Sequence, residues 1–141
     1  MWTYEHSLET TATSEQLWRL YSDVGSWPSW DSSNEYTTLD GPFETGARGS
    51  MKFLGQDPLP FTLVEVDPGR FFADETDLGG LVVRFEHGLQ SEAGVTRITT
   101  RVTISGPTAD EAGPALGPKI TADIPEQLAA IARLALGGSD G

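Results

Sequence analysis

Hydrophobic and polar residues alternate in several segments before residue 105, a pattern typical of strands that bury one face. In residues 2–11, Trp2, Tyr4, His6 and Leu8 fall on one face, and most residues between them are polar. Similar patterns, separated by turn residues, predict six more strands at residues 34–39, 47–54, 60–66, 71–76, 81–89 and 95–105. Because short turns join consecutive strands, the sheet is predicted to be antiparallel.

The same alternation assigns one face of each later strand to the interior. The residues predicted to face inward are Met51, Phe53, Thr62, Val64, Val66, Leu81, Val83, Phe85, His87, Leu89, Ile98, Thr100, Val102 and Ile104. Glu75 faces inward if Val66 pairs with Phe71 across the turn at Pro68-Gly69, and a slip of one residue turns Glu75 to solvent. A solvated strand end at residues 74–77 is the competing interpretation.

Helical spacing appears twice. Residues 14–23 follow a capping box formed by Thr13 and Gln16, and a short second helix or turn is predicted around residues 27–31. Near the C-terminus, a long helix is predicted to begin between about residues 115 and 120. The residues of its apolar face are Ile120, Ile124, Leu128 and Ile131.

Proline and glycine mark the limits of this long helix. Pro125 predicts a kink near residues 121–125, because proline lacks the amide that a continuous helix needs there. Residues 106–117, rich in both residue types, are predicted to form an irregular link, and Gly137–Gly141 a frayed tail.

These elements define an α+β architecture. An antiparallel sheet of this length curls as it twists, and the long helix must cover one of its sides. A curled sheet around one helix does not close tightly everywhere, so a cavity between the sheet and the C-terminal helix is predicted. Such cavities are where small ligands bind.

The chain resembles a known family over nearly its whole length, because the order of its later elements also fits. The resemblance rests on Ala12, Glu15, Leu17, Trp18, Asp23, Trp27, Pro28 and Trp30. Similar residues open many polyketide cyclase/dehydrase-like proteins of the START-like (SRPBCC, helix-grip) superfamily. The resemblance implies one START-like domain over residues 1–141, with a curved antiparallel sheet of about seven strands wrapped around a long C-terminal helix and two short helices after the first strand.

Composition and charge limit the partners, chemistry and cellular location expected for this protein. The net charge of −12 repels nucleic acid and anionic lipid, and the absence of cysteine excludes disulfides and thiolate chemistry. No signal peptide is predicted at the start, and no apolar run approaches the roughly 20 residues of a membrane span. The expected protein is cytoplasmic, a monomer or weak homodimer, without membrane insertion or a nucleic-acid partner.

Only two histidines, His6 and His87, are present, and alternation places both on the inner face. Each is a candidate general base, with Tyr4 as a candidate acid, but each also fits a structural role in which it hydrogen-bonds a buried group. Their spacing does not form a metal motif, and motifs for nucleotide binding, dinucleotide binding and serine hydrolysis are absent. Neither a metal nor a cofactor is expected.

The predicted function is binding of a small hydrophobic ligand, aromatic and polyketide-like molecules included, in the cavity between sheet and helix. One alternative is an aromatase/cyclase-type polyketide cyclase or dehydratase, and another is a chaperone-regulator-like interaction protein. The candidate ligand-binding residues are Tyr4, His6, Trp30, Met51, Phe53, Val64, Phe85, His87, Ile120, Ile124 and Leu128.

Overall fold

Seven antiparallel strands form one curved sheet in the order β1-β7-β6-β5-β4-β3-β2, which confirms the predicted architecture. The computed structural model describes residues 1–137, so residues 138–141 of the predicted tail lie outside the described part. The elements are β1 (Trp2–Thr10), α1 (Ser14–Tyr21), a 3-10 helix (Val24–Ser29), β2 (Asn34–Asp40), β3 (Arg48–Phe53), β4 (Leu59–Asp67), β5 (Phe71–Asp77), β6 (Val82–Glu92), β7 (Val95–Ser105), α2 (Ala109–Thr121) and α3 (Ile124–Ala135).

The first helix begins at the predicted capping box. The Thr13 hydroxyl accepts a hydrogen bond from the Gln16 amide at 3.1 Å, and the Thr13 amide donates to Gln16 Oε1 at 2.9 Å. These two bonds satisfy amides that would otherwise lack partners at the helix start. The helix then buries Leu17 and Tyr21 against the inner face of the sheet, where the hydrophobic core lies.

The C-terminal helical region differs from the prediction in where it begins. Helix α2 begins at Ala109, so residues 109–117 are helical and not an irregular link. Gly113 and Gly117, two of the signals for that link, instead let α2 approach Trp2 closely. A Cβ at Gly117 would lie 2.6 Å from three atoms of the indole ring. Tertiary packing thus outweighs the weak helix propensity of glycine and proline.

The predicted kink is present as a break between two helices. Helix α2 ends at Thr121 and α3 begins at Ile124, with Pro125 in the first turn of α3, where its missing amide needs no partner. Ile124, Leu128 and Ile131 are buried, which confirms the predicted apolar face. Helix α3 packs against β1, β7 and α1, and so covers one end of the inner face of the sheet.

Strand β4 corrects one predicted face. Its pairing with β5 is interrupted between Leu63 and Glu65 by a bulge, which shifts the alternation by one residue. Leu63 is therefore fully buried on the inner face, whereas Val64 is half-buried and lines a groove on the convex face. The prediction that Val64 faces the interior was wrong, and Val64 is therefore not included in the site proposed below.

Candidate functional site

The register of the strands assembles two rows of side chains across the inner face. One row runs from Tyr4 on β1 through Val102 and Phe85 to Asp74 on β5. The neighbouring row runs from His6 through Thr100 and His87 to Phe72 in the same order of strands. Because residues directly opposite each other in antiparallel strands share a face, these rows place both histidines and one carboxyl group in the interior.

Asp74 and His87 form the polar centre of these rows. Asp74 is 2% exposed and His87 is 7% exposed. Asp74 Oδ2 lies 3.9 Å from His87 Nε2. This distance is too long for a hydrogen bond. On the other side of the ring, His87 Nδ1 lies 3.5 Å from the Thr100 hydroxyl. The imidazole stacks on Phe72, with ring centres 4.4 Å apart.

Burial disfavours the charged form of both groups. It raises the pKa of Asp74 to about 7, an effect that the positive charge of Arg84 partly offsets. It lowers the pKa of His87 to about 3, so this imidazole is neutral at physiological pH. Within residues 1–137, Asp74 Oδ1 has no hydrogen-bond partner. The interior therefore holds a carboxyl group whose pKa lies near neutral pH and whose Oδ1 atom is buried without a hydrogen-bond partner among the described residues.

Sequence reasoning considered Glu75 for this position and missed Asp74. Val66 pairs with Phe72 and not with Phe71, so Asp74 faces inward and Glu75 faces the convex side. There, Glu75 Oε2 lies 3.2 Å from Arg84 Nη1. The turn itself does not distinguish the two registers: the Arg70 amide donates to the Asp67 carbonyl oxygen at 3.0 Å, and Gly69 adopts the positive φ of +80° that a Pro-Gly turn predicts.

A second group of buried polar residues follows the 3-10 helix, at and after Trp30. The indole nitrogen of Trp30 and the Asn34 side-chain oxygen are buried without a hydrogen-bond partner among the described residues. Asp31 is buried beside them, and burial raises the pKa of its carboxyl group despite hydrogen bonds from Ser33. Sequence reasoning identified Trp30 as a candidate but did not identify Asp31 or Asn34, because short polar residues after a helix are usually turn residues.

The other candidate residues occupy the interior at two different levels of burial. Trp30, Met51, Ile124 and Leu128 are buried in the core. The residues that pack against that core and remain half-buried are Tyr4, Phe53, Phe85 and Ile120, and His6 is half-buried as well. The inner face is therefore solvent-accessible in part, and Phe85, the register partner of Asp74, belongs to the accessible part.

Two open grooves lie outside the space between sheet and helices. One is on the convex face, where Thr62, Val64 and Glu75 contribute to its lining. The other lies at one end of the sheet, where Arg70 and Arg97 contribute. Residues 1–137 contain no group of three His, Cys, Asp or Glu side chains placed to hold a metal ion. None of the helices described in that range is long and apolar enough to span a bilayer.

Comparison with known structures identifies the fold as the helix-grip fold of Bet v 1-like proteins. Norcoclaurine synthase from Thalictrum flavum superposes with a TM-score of 0.71 at 16% identity, over 95% of this chain and 86% of that one. Ara h 8.0201 gives a TM-score of 0.70 at 16% identity, over 96% and 97% of the two chains. The di-domain aromatase/cyclase BexL gives 0.72 at 16% identity, over 93% of this chain and 45% of that one.

At the level of sequence, residues 1–135 match the family described as Polyketide cyclase / dehydrase and lipid transport. The chain belongs to this family, which confirms the resemblance seen in the sequence. The fold is accordingly one that binds hydrophobic ligands. No curated protein matches the chain in sequence.

Proposed function

We propose that this protein binds a small, largely apolar molecule between the inner face of the sheet and the C-terminal helices. The observation that carries the proposal is the partial exposure of Tyr4, Phe85 and Ile120, which lie on or against the inner face. Burying such surfaces under a ligand contributes about 25 cal/mol per Å². Trp30, Met51, Phe53, Ile124 and Leu128 supply further apolar contacts, and His6, His87 and Asp74 orient the polar part of the ligand.

A matched pair of tryptophan substitutions tests where the ligand lies. Ile120→Trp fills the proposed site, whereas Val64→Trp adds the same side chain on the convex face. By calorimetric titration with 2-naphthol, we expect Ile120→Trp to weaken binding by about tenfold or more, which corresponds to about 1.4 kcal/mol. Val64→Trp should leave binding unchanged within about twofold. Circular dichroism checks that both variants fold.

Two results of this titration count against the proposal. Failure of the wild-type protein to bind 2-naphthol or comparable neutral aromatic probes at all would remove its basis. Weaker binding in the Val64→Trp variant, with Ile120→Trp unaffected, would move the site to the convex face.

A second candidate function, a cyclase or dehydratase, is favoured by the Asp74–His87 pair. Proton transfer next to a carbonyl needs a base whose pKa is close to the working pH, and burial raises the pKa of Asp74 to about 7. With its pKa lowered to about 3, His87 suits the role of a neutral hydrogen-bond donor better than that of a base. His6, in the same row as His87, and Tyr4 remain candidates for orienting the substrate.

Turnover of an aromatic polyketide analogue separates the two functions. If the protein is an enzyme, Asp74→Asn should abolish turnover while affinity changes by about 1 kcal/mol, roughly the contribution of one hydrogen bond. His87→Gln should reduce turnover less than Asp74→Asn does, since the Gln side chain keeps a similar volume and can still donate a hydrogen bond, which is the role that a neutral His87 would have. Binding of the analogue without turnover by the wild-type protein would support the carrier function instead.

A further inference from the structure

The cationic side chains of this protein are distributed unevenly between the two faces of the sheet. All nine Lys and Arg residues lie within residues 1–137. Five of them extend from the convex face of the strands: Arg48, Lys52, Arg84, Arg97 and Arg101. The other four occupy exposed positions on helices and a turn: Arg19, Arg70, Lys119 and Arg133. The inner face thus receives no cationic side chain from the described residues.

One buried acceptor without a partner within residues 1–137, Asp74 Oδ1, lies on the same inner face. Asp74 is 2% exposed, and its Oδ1 atom has no hydrogen-bond partner among the described residues. The positive charge of Arg84 acts on Asp74 from the opposite side of the sheet, where Arg84 is already held by Glu75 and Glu86. A buried acceptor that lacks a partner destabilises the folded state by about 1–3 kcal/mol, so a ligand that donates to it gains that interaction.

A carboxylate ligand would bind weakly at this site. Its charge would lose hydration without gaining a cation, and it would stand beside an acceptor that is itself partly ionised near neutral pH. An ammonium or hydroxyl group, in contrast, donates to Asp74 Oδ1. The aromatic rings nearby, with Phe72 stacked on His87 and Tyr21 in contact with both, also favour a cation or an aromatic body.

Building on the proposed function, we propose that the interior site selects apolar molecules whose polar group donates a hydrogen bond, a hydroxyl or an ammonium, and rejects carboxylates. Asp74 is the residue that sets this selectivity. The class of ligand is thereby narrower than apolar molecules in general, because free fatty acids and aromatic acids are excluded by charge.

Three probes with one ring system test the selectivity: 2-naphthol, 2-naphthylmethylamine and 2-naphthoate. At neutral pH they are respectively uncharged, cationic and anionic. We expect naphthol and the amine to bind the wild-type protein at least about tenfold more tightly than naphthoate in calorimetric titrations. The relative affinities of the first two probes distinguish a hydroxyl from an ammonium as the preferred donor.

Two neighbouring substitutions separate a local effect from that of the overall charge. Asp74→Asn and Glu75→Gln each remove one carboxyl group, but from opposite faces of the same strand. In Asp74→Asn, the preference for the amine over naphthoate should fall by about tenfold, while naphthol binding stays within about threefold, since the amide oxygen still accepts. In Glu75→Gln, all three affinities should keep their wild-type ratios.

The outcomes distinguish this inference from the proposed function. If naphthoate binds the wild-type protein as tightly as the other two probes, or if both substitutions change the ratios equally, the selectivity proposal is wrong while ligand binding stands. If none of the three probes binds the wild-type protein, both proposals are wrong.

Discussion

Asp74 and Glu75 are consecutive carboxyl groups on β5, and the two faces of the sheet surround them very differently. Glu75 lies on the convex face, 35% exposed, and forms an ion pair with Arg84. Arg84 also contacts Glu65 and Glu86, so charge on this face is balanced by a shared cation and by water. Asp74 lies on the inner face, where burial raises the pKa of its carboxyl group to about 7.

Phe71 and Phe72, which lie earlier on β5, show the same contrast between the two faces with apolar side chains. Phe71 is half-buried on the convex face, whereas Phe72 is fully buried and lies against the rings of Trp18, Tyr21 and Trp27. One strand therefore separates a solvated ionic surface from an aromatic interior that contains few polar groups. The proposed ligand site lies on the inner face, where Asp74 Oδ1 has no hydrogen-bond partner among the described residues.

The largest expected effect concerns the two phenylalanines. Phe72→Ala should lower the free energy of unfolding by about 3–5 kcal/mol, because it leaves a cavity among packed aromatic rings. Phe71→Ala should lower it by only about 1 kcal/mol, since a half-buried ring loses less packing. Urea denaturation of the two variants measures both values. Equal losses would show that the inner and convex faces do not differ as described.

The pH dependence of stability sharpens the comparison between the two carboxyl groups. The raised pKa of Asp74 means that the folded state binds more protons than the unfolded state between about pH 4 and 7, so this group's contribution to stability declines as pH rises through that window. The difference in the free energy of unfolding between Asp74→Asn and the wild type should therefore shift in favour of the variant by about 2–3 kcal/mol as the pH rises from about 5 to 8.

His87 contributes in the opposite direction in both proteins. Its lowered pKa means that stability is lost as pH falls from about 6.5 toward 3, so comparing the variant with the wild type cancels this contribution. Glu75→Gln, the matched control, should change stability by less than about 1 kcal/mol at either pH, as expected for one partly exposed ion pair. Parallel pH curves for the wild type and Asp74→Asn would contradict the assignment.

A smaller effect is expected where α2 covers the end of the inner face. Gly117→Val should destabilise the protein by about 1–3 kcal/mol, because the new side chain would overlap the Trp2 indole. Ala115→Val places the same side chain at an exposed position of α2 and should cost about 0.5 kcal/mol through helix propensity alone. Thermal unfolding compares the two variants, and equal changes would argue against close contact between α2 and β1.

The sequence predicted the strands best where alternation ran without interruption. In β1, β6 and β7 the predicted inner faces match the structure, and the capping box located the start of α1. Alternation failed in β4, because the bulge at Leu63–Glu65 follows from tertiary pairing that no local pattern records. The start of α2 was misplaced because Gly113 and Gly117 were interpreted as breaks, whereas their role is close packing against Trp2.

The residues of the candidate site were predictable only where they lie on strands with uninterrupted alternation. The inward positions of His6, Phe85 and His87 followed from alternation in regular strands. Asp74 was missed because its direction depends on the register of the β4–β5 hairpin, in which a change of one residue exchanges it with Glu75.

The most direct test of the account is to locate a bound probe by the methyl groups on the two faces. With 2-naphthol and methyl-labelled protein, nuclear Overhauser contacts are expected at Met51, Ile120 and Ile124, which lie on or against the inner face. Val64 and Val82, which line the convex groove, should show none. Nuclear Overhauser contacts at Val64 and Val82, with none at Met51, Ile120 and Ile124, would contradict the claim that the ligand binds between the sheet and the C-terminal helices.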